Sequence, residues 1–449
     1  MSKNETFGTE SLGRLLRQQA IPASTGILVM SIYGIVDTIF VGHWVGALGI
    51  GAITVVMPIT FLISSVGMAI GIGGSSIISR AFGEGNDGKA TRTFGNQVIL
   101  TLSLSVLFML LGFQFQDEVL HLFGGKGEVL APAKAYFQIL LYGVPFLAWA
   151  MMSTNVIRAE GFPKISMIAL IVPAITNMIL DPIFIVVLDM GIEGAAWATT
   201  LAYAASATFT ILFFLFGKSQ MQLTRRCITP SISIIREIAS IGSVTLARQG
   251  TISVLSIVLN NALFTYGGEL ALSVYGIIGR VLMFANFPVL GITQGFVPIV
   301  GFNYGAKLFQ RVKDLITLSM KSASVISFCI FVCIMLLTPQ IVSAFTTDEA
   351  LIEQATPALR WVFGATPLLA ISLLGSAYFQ AIGKAVPALF LTLTKQGFFL
   401  IPLILILPNF FGLNGVWYAF PIADIGAAAI TYWYLKKDTK NMSAASVPR

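Results

Sequence analysis

Six ionisable side chains fall inside long apolar runs of the sequence: the acids Asp37, Asp181 and Asp424, and the bases Arg248, Arg280 and Lys395. A charge at the centre of a bilayer is costly, so each one needs a partner, a water-filled cavity or a proton. Asn177 stands four residues before Asp181, which puts both on one face of a helix, a turn apart. Pro182 follows directly; it lacks a backbone donor, frees a carbonyl near Asn177 and Met178, and should kink the helix. Asp37, Asp181, the Asn177 carboxamide and the freed carbonyl make an all-oxygen set for a hard cation such as Na+, or a carboxylate pair that shares one proton. The competing reading has Asp37 hydrogen-bonding within a helix bundle and Asp181-Pro182 closing a shorter span. Two acids in one half of the chain argue against it.

The basic residues lie in the other half, with Asp424 as the only acid. Lys395 and Asp424 fall near the middles of their runs and can neutralise one another as a structural pair. A second gate or an anion contact is the sharper reading of the same two residues. Arg248 and Arg280 complete a candidate charge network there, and their surplus positive charge disfavours cationic cargo unless they snorkel or pair.

The elements that must position these groups are membrane helices. Of 449 residues, 56% are hydrophobic and only 10% charged, with a mean hydropathy of +0.85. A soluble chain carries about 25% charge, so a water-soluble enzyme, a nucleic-acid binder and a disordered scaffold are excluded. Twelve apolar runs are long enough to span as helices, at 21–41, 50–78, 94–115, 136–157, 165–188, 194–216, 238–266, 270–299, 315–337, 362–379, 386–407 and 415–435. They are too long and too evenly apolar for barrel strands. The expected fold is an all-α integral membrane protein of twelve transmembrane helices in two six-helix lobes: a tail at 1–20, a first lobe at 21–217, a linker at 218–237, a second lobe at 238–435 and a tail at 436–449. The first twenty residues have no apolar segment or cleavage site and read as a retained tail.

Of the 27 Lys and Arg, 21 fall in the two tails and the even-numbered connections, while the odd-numbered loops hold only Lys126, Lys134 and Arg360. Positive charge collects on the cytoplasmic side, so both termini are expected there. The net charge of +7 is thus a matter of topology, with no basic stripe that could track a phosphate backbone.

The two halves repeat. Gly71-Ile72 and Ala81-Phe82-Gly83-Glu84-Gly85 return as Gly291-Ile292 and Gly301-Phe302-Asn303-Tyr304-Gly305. Gly191-Ile192-Glu193-Gly194 returns as Gly412-Leu413-Asn414-Gly415, and Arg158-Ala159-Glu160-Gly161 as Gln380-Ala381-Ile382-Gly383. The offset stays at 220–222 and spans six helices, an even number, so the halves share one orientation about an axis along the membrane normal.

This 6+6 plan, the segment Phe302-Asn303-Tyr304-Gly305-Ala306-Lys307 after the eighth span and the Gly-x-x-Gly turns before spans six and twelve resemble the MATE (multidrug and toxic compound extrusion) transporters over the whole chain. The context Val274-Tyr275-Gly276-Ile277-Ile278-Gly279-Arg280 is most similar to the bacterial DinF and MepA types. The resemblance implies a V-shaped pair of lobes that alternates between outward and inward openings and exports organic, often cationic, compounds in exchange for H+ or Na+. It also implies that Asp37 on helix one, Asn177 and Asp181 on helix five and a threonine on helix six form the coupling site. Thr199 matches that threonine, with Thr200 adjacent. Some members of the family carry essential acids on helices seven and ten, and this chain has none in those spans.

Other chemistry is poorly supported. Gly71-Ile72-Gly73-Gly74 lacks the lysine and strand of a phosphate loop, Glu84-Gly85-Asn86-Asp87-Gly88 lacks the remaining ligands of a calcium loop, and His43 and His121 lie far from any Cys cluster. No catalytic residue, resident metal or organic cofactor is expected. Cys227, Cys329 and Cys333 read as free buried thiols. The expected activity is ion-coupled export of small amphipathic molecules by a monomer in a prokaryotic inner membrane; the alternative is a flippase for lipid-linked saccharides.

Overall fold

The computed structural model describes residues 5–221 and 229–445, and within them the apolar runs are helices. Eleven helices are long and apolar enough to cross a membrane, one of which, Ile232–Gly305, is 74 residues long. It is broken at Gly268, whose φ of +66° and ψ of −158° are open to glycine and strained for other residues. The break divides it into two spans and gives twelve. We number them α1 (Leu12–Trp44), α2 (Ala47–Gly83), α3 (Asp87–Gln114), α4 (Leu130–Ala159), α5 (Pro163–Asp181, continued as a π turn over Pro182–Val187) and α6 (Gly191–Phe216). The second set is α7 (232–267), α8 (269–305), α9 (Phe309–Ser343), α10 (Glu349–Val362 and, after a break, Leu369–Ala381), α11 (Ala385–Leu393, a π turn over Thr394–Leu400, then Ile401–Ile406) and α12 (Leu413–Ala445).

Most helices extend past the apolar runs, because buried polar residues can occupy helical turns at either end. The largest difference is α10, expected from 362 and beginning at Glu349. Its first segment carries Glu349, Glu353 and Arg360, yet Ala355, Ala358, Leu359 and Val362 are buried. This is an amphipathic helix whose charged face hid it from a hydropathy window.

The chain divides into two compact units, 1–7 with 25–245 and 8–24 with 246–449. The core of the first is built around Val56, Ala133, Leu141 and Ala196, and that of the second around Leu259, Ile278, Leu359 and Val416. The division departs from the lobes expected at 21–217 and 238–435 in two places. Residues 8–24 pack with the second unit: Leu15 and Leu16 are buried, the Arg311 Nη2 donates to the Glu10 carbonyl at 2.8 Å, and a Cβ on Gly291 would strike the Ser24 backbone nitrogen at 2.7 Å. The expected tail is therefore helical over residues 5–9 and 12–20, and its end meets Gly295, where a Cβ would strike the Ala20 backbone nitrogen at 2.8 Å, a contact that a hydropathy pattern does not register. Residues 232–245, part of which reads as linker, are helical and stay with the first unit, where Arg80 pairs with Glu237 at 2.9 Å and Asn96 bonds the backbone of Thr229 and Ser231.

Cys329 and Cys333 are exposed on α9, not buried; their i, i+4 spacing puts both on its outer face. Cys227 lies outside the described residues.

Candidate functional site

Three helices of the first unit bring the expected residues together. α1 supplies Asp37, half-buried, seven residues before the helix end at Trp44. α5 supplies Asn177 and Asp181, both buried, with Asp181 six residues before the end of the π turn at Val187. α6 supplies Thr199, also buried. At about 1.5 Å per residue, both acids sit roughly 10 Å from the ends of their helices, on the side where α1 turns into α2.

The Asp37 carboxyl from α1 and the Asp181 carboxyl from α5 lie within interaction range of one another. Ionised carboxylates only accept, so a hydrogen bond between the two requires one proton. The Asn177 amide bridges Asp181 to Thr199, with 2.5 Å to Asp181 Oδ2 at one end and 3.2 Å to Thr199 Oγ1 at the other. With Asp181 ionised, the amide nitrogen faces the carboxylate and the amide oxygen accepts from the Thr199 hydroxyl and backbone N–H. With Asp181 protonated, its hydroxyl donates to the amide oxygen, and the nitrogen donates to Thr199. A half-turn of one amide thus follows the proton. Asp181 Oδ1 is buried and receives no hydrogen-bond donor among the described residues.

The choice between adjacent threonines is made by helix rotation. The Thr200 hydroxyl donates to the Ile139 carbonyl on α4 at 3.2 Å, while Thr199 turns to Asn177. Three tyrosines that the sequence reading missed surround the acids: Tyr33 on α1, Tyr136 on α4 and Tyr203 on α6. Helical register offered a signal for two of them, since Tyr33 stands four residues before Asp37 and Tyr203 four after Thr199. Nothing in the sequence pointed to Tyr136.

Pro182 does not end α5. The helix widens into the π turn Pro182–Val187, one of two in the molecule's described residues; the other, Thr394–Leu400, is in α11. π turns let a helix carry an unpaired backbone group, and they recur at functional sites.

In the second unit Lys395, on that second π turn, meets Asp424 with Nζ–Oδ1 at 2.5 Å, so the expected pair is present. Asp424 is buried. Arg248 and Arg280 are not part of this pair, and no ion pair of either exists among the described residues.

A further buried acid lies between α4 and α5. Glu160 is 1% exposed and accepts from the Ser219 hydroxyl at 2.9 Å, while the Met221 N–H donates to Ser219 Oγ at 3.0 Å, so the segment that leaves α6 is tied down over it with the backbone of Gln220 and Met221 close by. Burial pushes its carboxyl up to about 7, against the opposing pull of Ser219 and the nearby backbone of Gln220 and Met221. The sequence showed Glu160 only as part of a repeated turn.

The sequence model of the MatE family matches the chain twice, over residues 22–183 and 246–406, once per half. The multidrug export protein MepA of Staphylococcus aureus (strain N315) is 29% identical over 421 residues, 93% of each chain, and that of Staphylococcus saprophyticus is 27% identical over 443 residues, 98% of each. Among solved structures, a MATE protein in a bent conformation aligns with a TM-score of 0.94 at 25% identity over 99% of both chains. A MOP-superfamily transporter from Pyrococcus furiosus, described as having a binding pocket of reverse polarity, aligns at 0.92 and 26% identity over 99% of both.

Proposed function

Since the chain belongs to the MatE family, a family of multi-pass membrane transporters and not of enzymes, we propose that it is an ion-coupled multidrug exporter whose coupling site is Asp37, Asn177, Asp181 and Thr199. The observation that carries this reading is the adjacent carboxyl pair Asp37 and Asp181, closed by the Asn177 amide inside one six-helix unit.

Such a pair stores a proton while it is dry, because two adjacent buried carboxylates repel when both are ionised. Water entering the unit solvates both charges and releases the proton. Cargo binding and proton release are then alternative ways to occupy one conformational cycle, which is the coupling an antiporter requires, and alternating access supplies the cycle. Asn177 reports the state of the pair to α6 through its amide, and Thr199 receives it. Na+ fits the same oxygens: the Asn177 carbonyl and both carboxylates would hold it, with the amide turned oxygen-inward. We take H+ as the primary coupling ion, because two adjacent buried carboxyls favour holding one proton between them. The cargo is a small amphipathic organic compound, and the protein acts as a monomer in the plasma membrane with both termini cytoplasmic, as the distribution of Lys and Arg supports.

The test is efflux of ethidium from proteoliposomes under an imposed pH or Na+ gradient, for wild type and Asp37→Asn. We expect efflux to follow the pH gradient, and the variant to bind ethidium but lose gradient-driven transport by at least tenfold. Normal efflux by Asp37→Asn would move the coupling site elsewhere. Transport driven only by Na+ would replace the ion but keep the residues, and no ethidium efflux under either gradient would favour a lipid-linked cargo.

A further inference from the structure

The exposed side of α8 is unlike a surface made for lipid. Between Glu269 and Gly305 the exposed residues are Glu269, Ser273, Gly276, Arg280 and Met283, spaced at three and four and so forming a single stripe. Only Met283 is a large hydrophobic residue. By contrast, α9 presents Val325, Phe328, Leu336 and Leu337. Arg280 lies twelve residues beyond the break at Gly268, about 18 Å along the helix and so near the middle of a hydrocarbon core about 30 Å thick. An arginine at that depth faces water or a charged ligand.

Arg280 has no ion pair or hydrogen bond among the described residues. Lys395 is committed to Asp424. Glu269, the acid on the same stripe, is about 16 Å nearer the helix end. Arg248 on α7 stands twenty residues before Gly268, about 12 Å deeper than Arg280. One turn above Arg280 the stripe is bare: a Cβ placed on Gly276 or Gly279 would meet nothing within 4 Å.

We propose that Arg280 is an oxyanion-binding residue of the second unit, receiving the carboxylate of an amphipathic cargo in the open space beside Gly276. The guanidinium fork matches a carboxylate in two parallel hydrogen bonds, and a mid-membrane, low-dielectric setting strengthens them. The cargo range then includes organic anions and zwitterions beside cations. This rests on the export reading only for the ligand being cargo; binding itself tests the site.

The experiment measures binding of 1-pyrenebutyrate and 1-pyrenemethylammonium, one fluorophore with opposite charges, to the full-length protein in nanodiscs, against empty nanodiscs. Arg280→Gln is expected to weaken pyrenebutyrate binding at least tenfold and to leave the ammonium probe within twofold, while Arg280→Lys keeps an intermediate affinity. Gly276→Leu, which fills the open space and leaves the charge, is expected to weaken pyrenebutyrate to a similar degree. Equal pyrenebutyrate binding by wild type and Arg280→Gln, or none by wild type, overturns the proposal. Loss of gradient-driven ethidium efflux in a protein that still binds pyrenebutyrate through Arg280 overturns the export reading alone.

Discussion

In the first unit α5 reaches its π turn through Asp181-Pro182; in the second, the repeat places Ile401-Pro402 at the same point, 220 residues on, and the π turn carries Lys395 instead. Lys395 in turn corresponds to the exposed Ile175, and Asp424 to Tyr203, one of the tyrosines beside the first unit's acids. The order of the helices is duplicated, while the places of their breaks and of their charges are not. Each half uses its charges for different work: paired acids that can hold a proton in one, a neutralised pair and an unpaired arginine in the other.

If this contrast is right, the second unit's pair is structural and the first unit's is not. Removing one partner by Lys395→Met leaves a buried carboxylate alone and should cost about 3–5 kcal/mol, read as a large loss of thermal stability in detergent. The double variant Lys395→Met with Asp424→Leu should recover most of it and still transport with the wild-type pH profile. A double variant that is stable but has lost its pH dependence would erase the distinction between the units.

Glu160 gives a smaller effect with a definite sign. Its folded carboxyl is pushed up to about 7 from an ordinary value of 4.5, so the folded protein holds a proton more tightly than the unfolded chain. The resulting stabilisation is full below 4.5 and is lost as the pH rises through 7, a difference on the order of 2–3 kcal/mol. Wild type should therefore lose stability relative to Glu160→Gln between pH 5 and pH 8. The second unit has Ile382 at the matching place and no such dependence. Melting curves of the two proteins that stay parallel across that range would show that Glu160 is solvated when the segment after α6 moves.

The smallest effect separates two neighbours. Thr199→Val removes the partner of Asn177 and should shift the pH midpoint of efflux while costing about 1 kcal/mol in stability. Thr200→Val loses only the bond to the Ile139 carbonyl and should leave that midpoint in place. Identical pH profiles for the two would remove Thr199 from the site.

Hydropathy, charge placement and repetition are properties of single helices or of their order, and the sequence by itself determined what depends on them: twelve spans, two copies of one six-helix plan, acids in the first half and bases in the second. The pairing of Asn177 with Asp181 was legible for the same reason, since a spacing of four fixes one face of one helix. Three things belonged to the tertiary structure. Which threonine meets Asn177 depends on the rotation of α6 against α5, and neighbouring residues differ by about 100° in that rotation. Residues 8–24 join the second unit through a close glycine contact, and 232–245 stay with the first through Arg80 and Asn96. Glu160 looks like a surface turn until the segment after α6 folds over it. Each depends on a distance between helices far apart in the chain, and no local pattern of residues encodes such a distance.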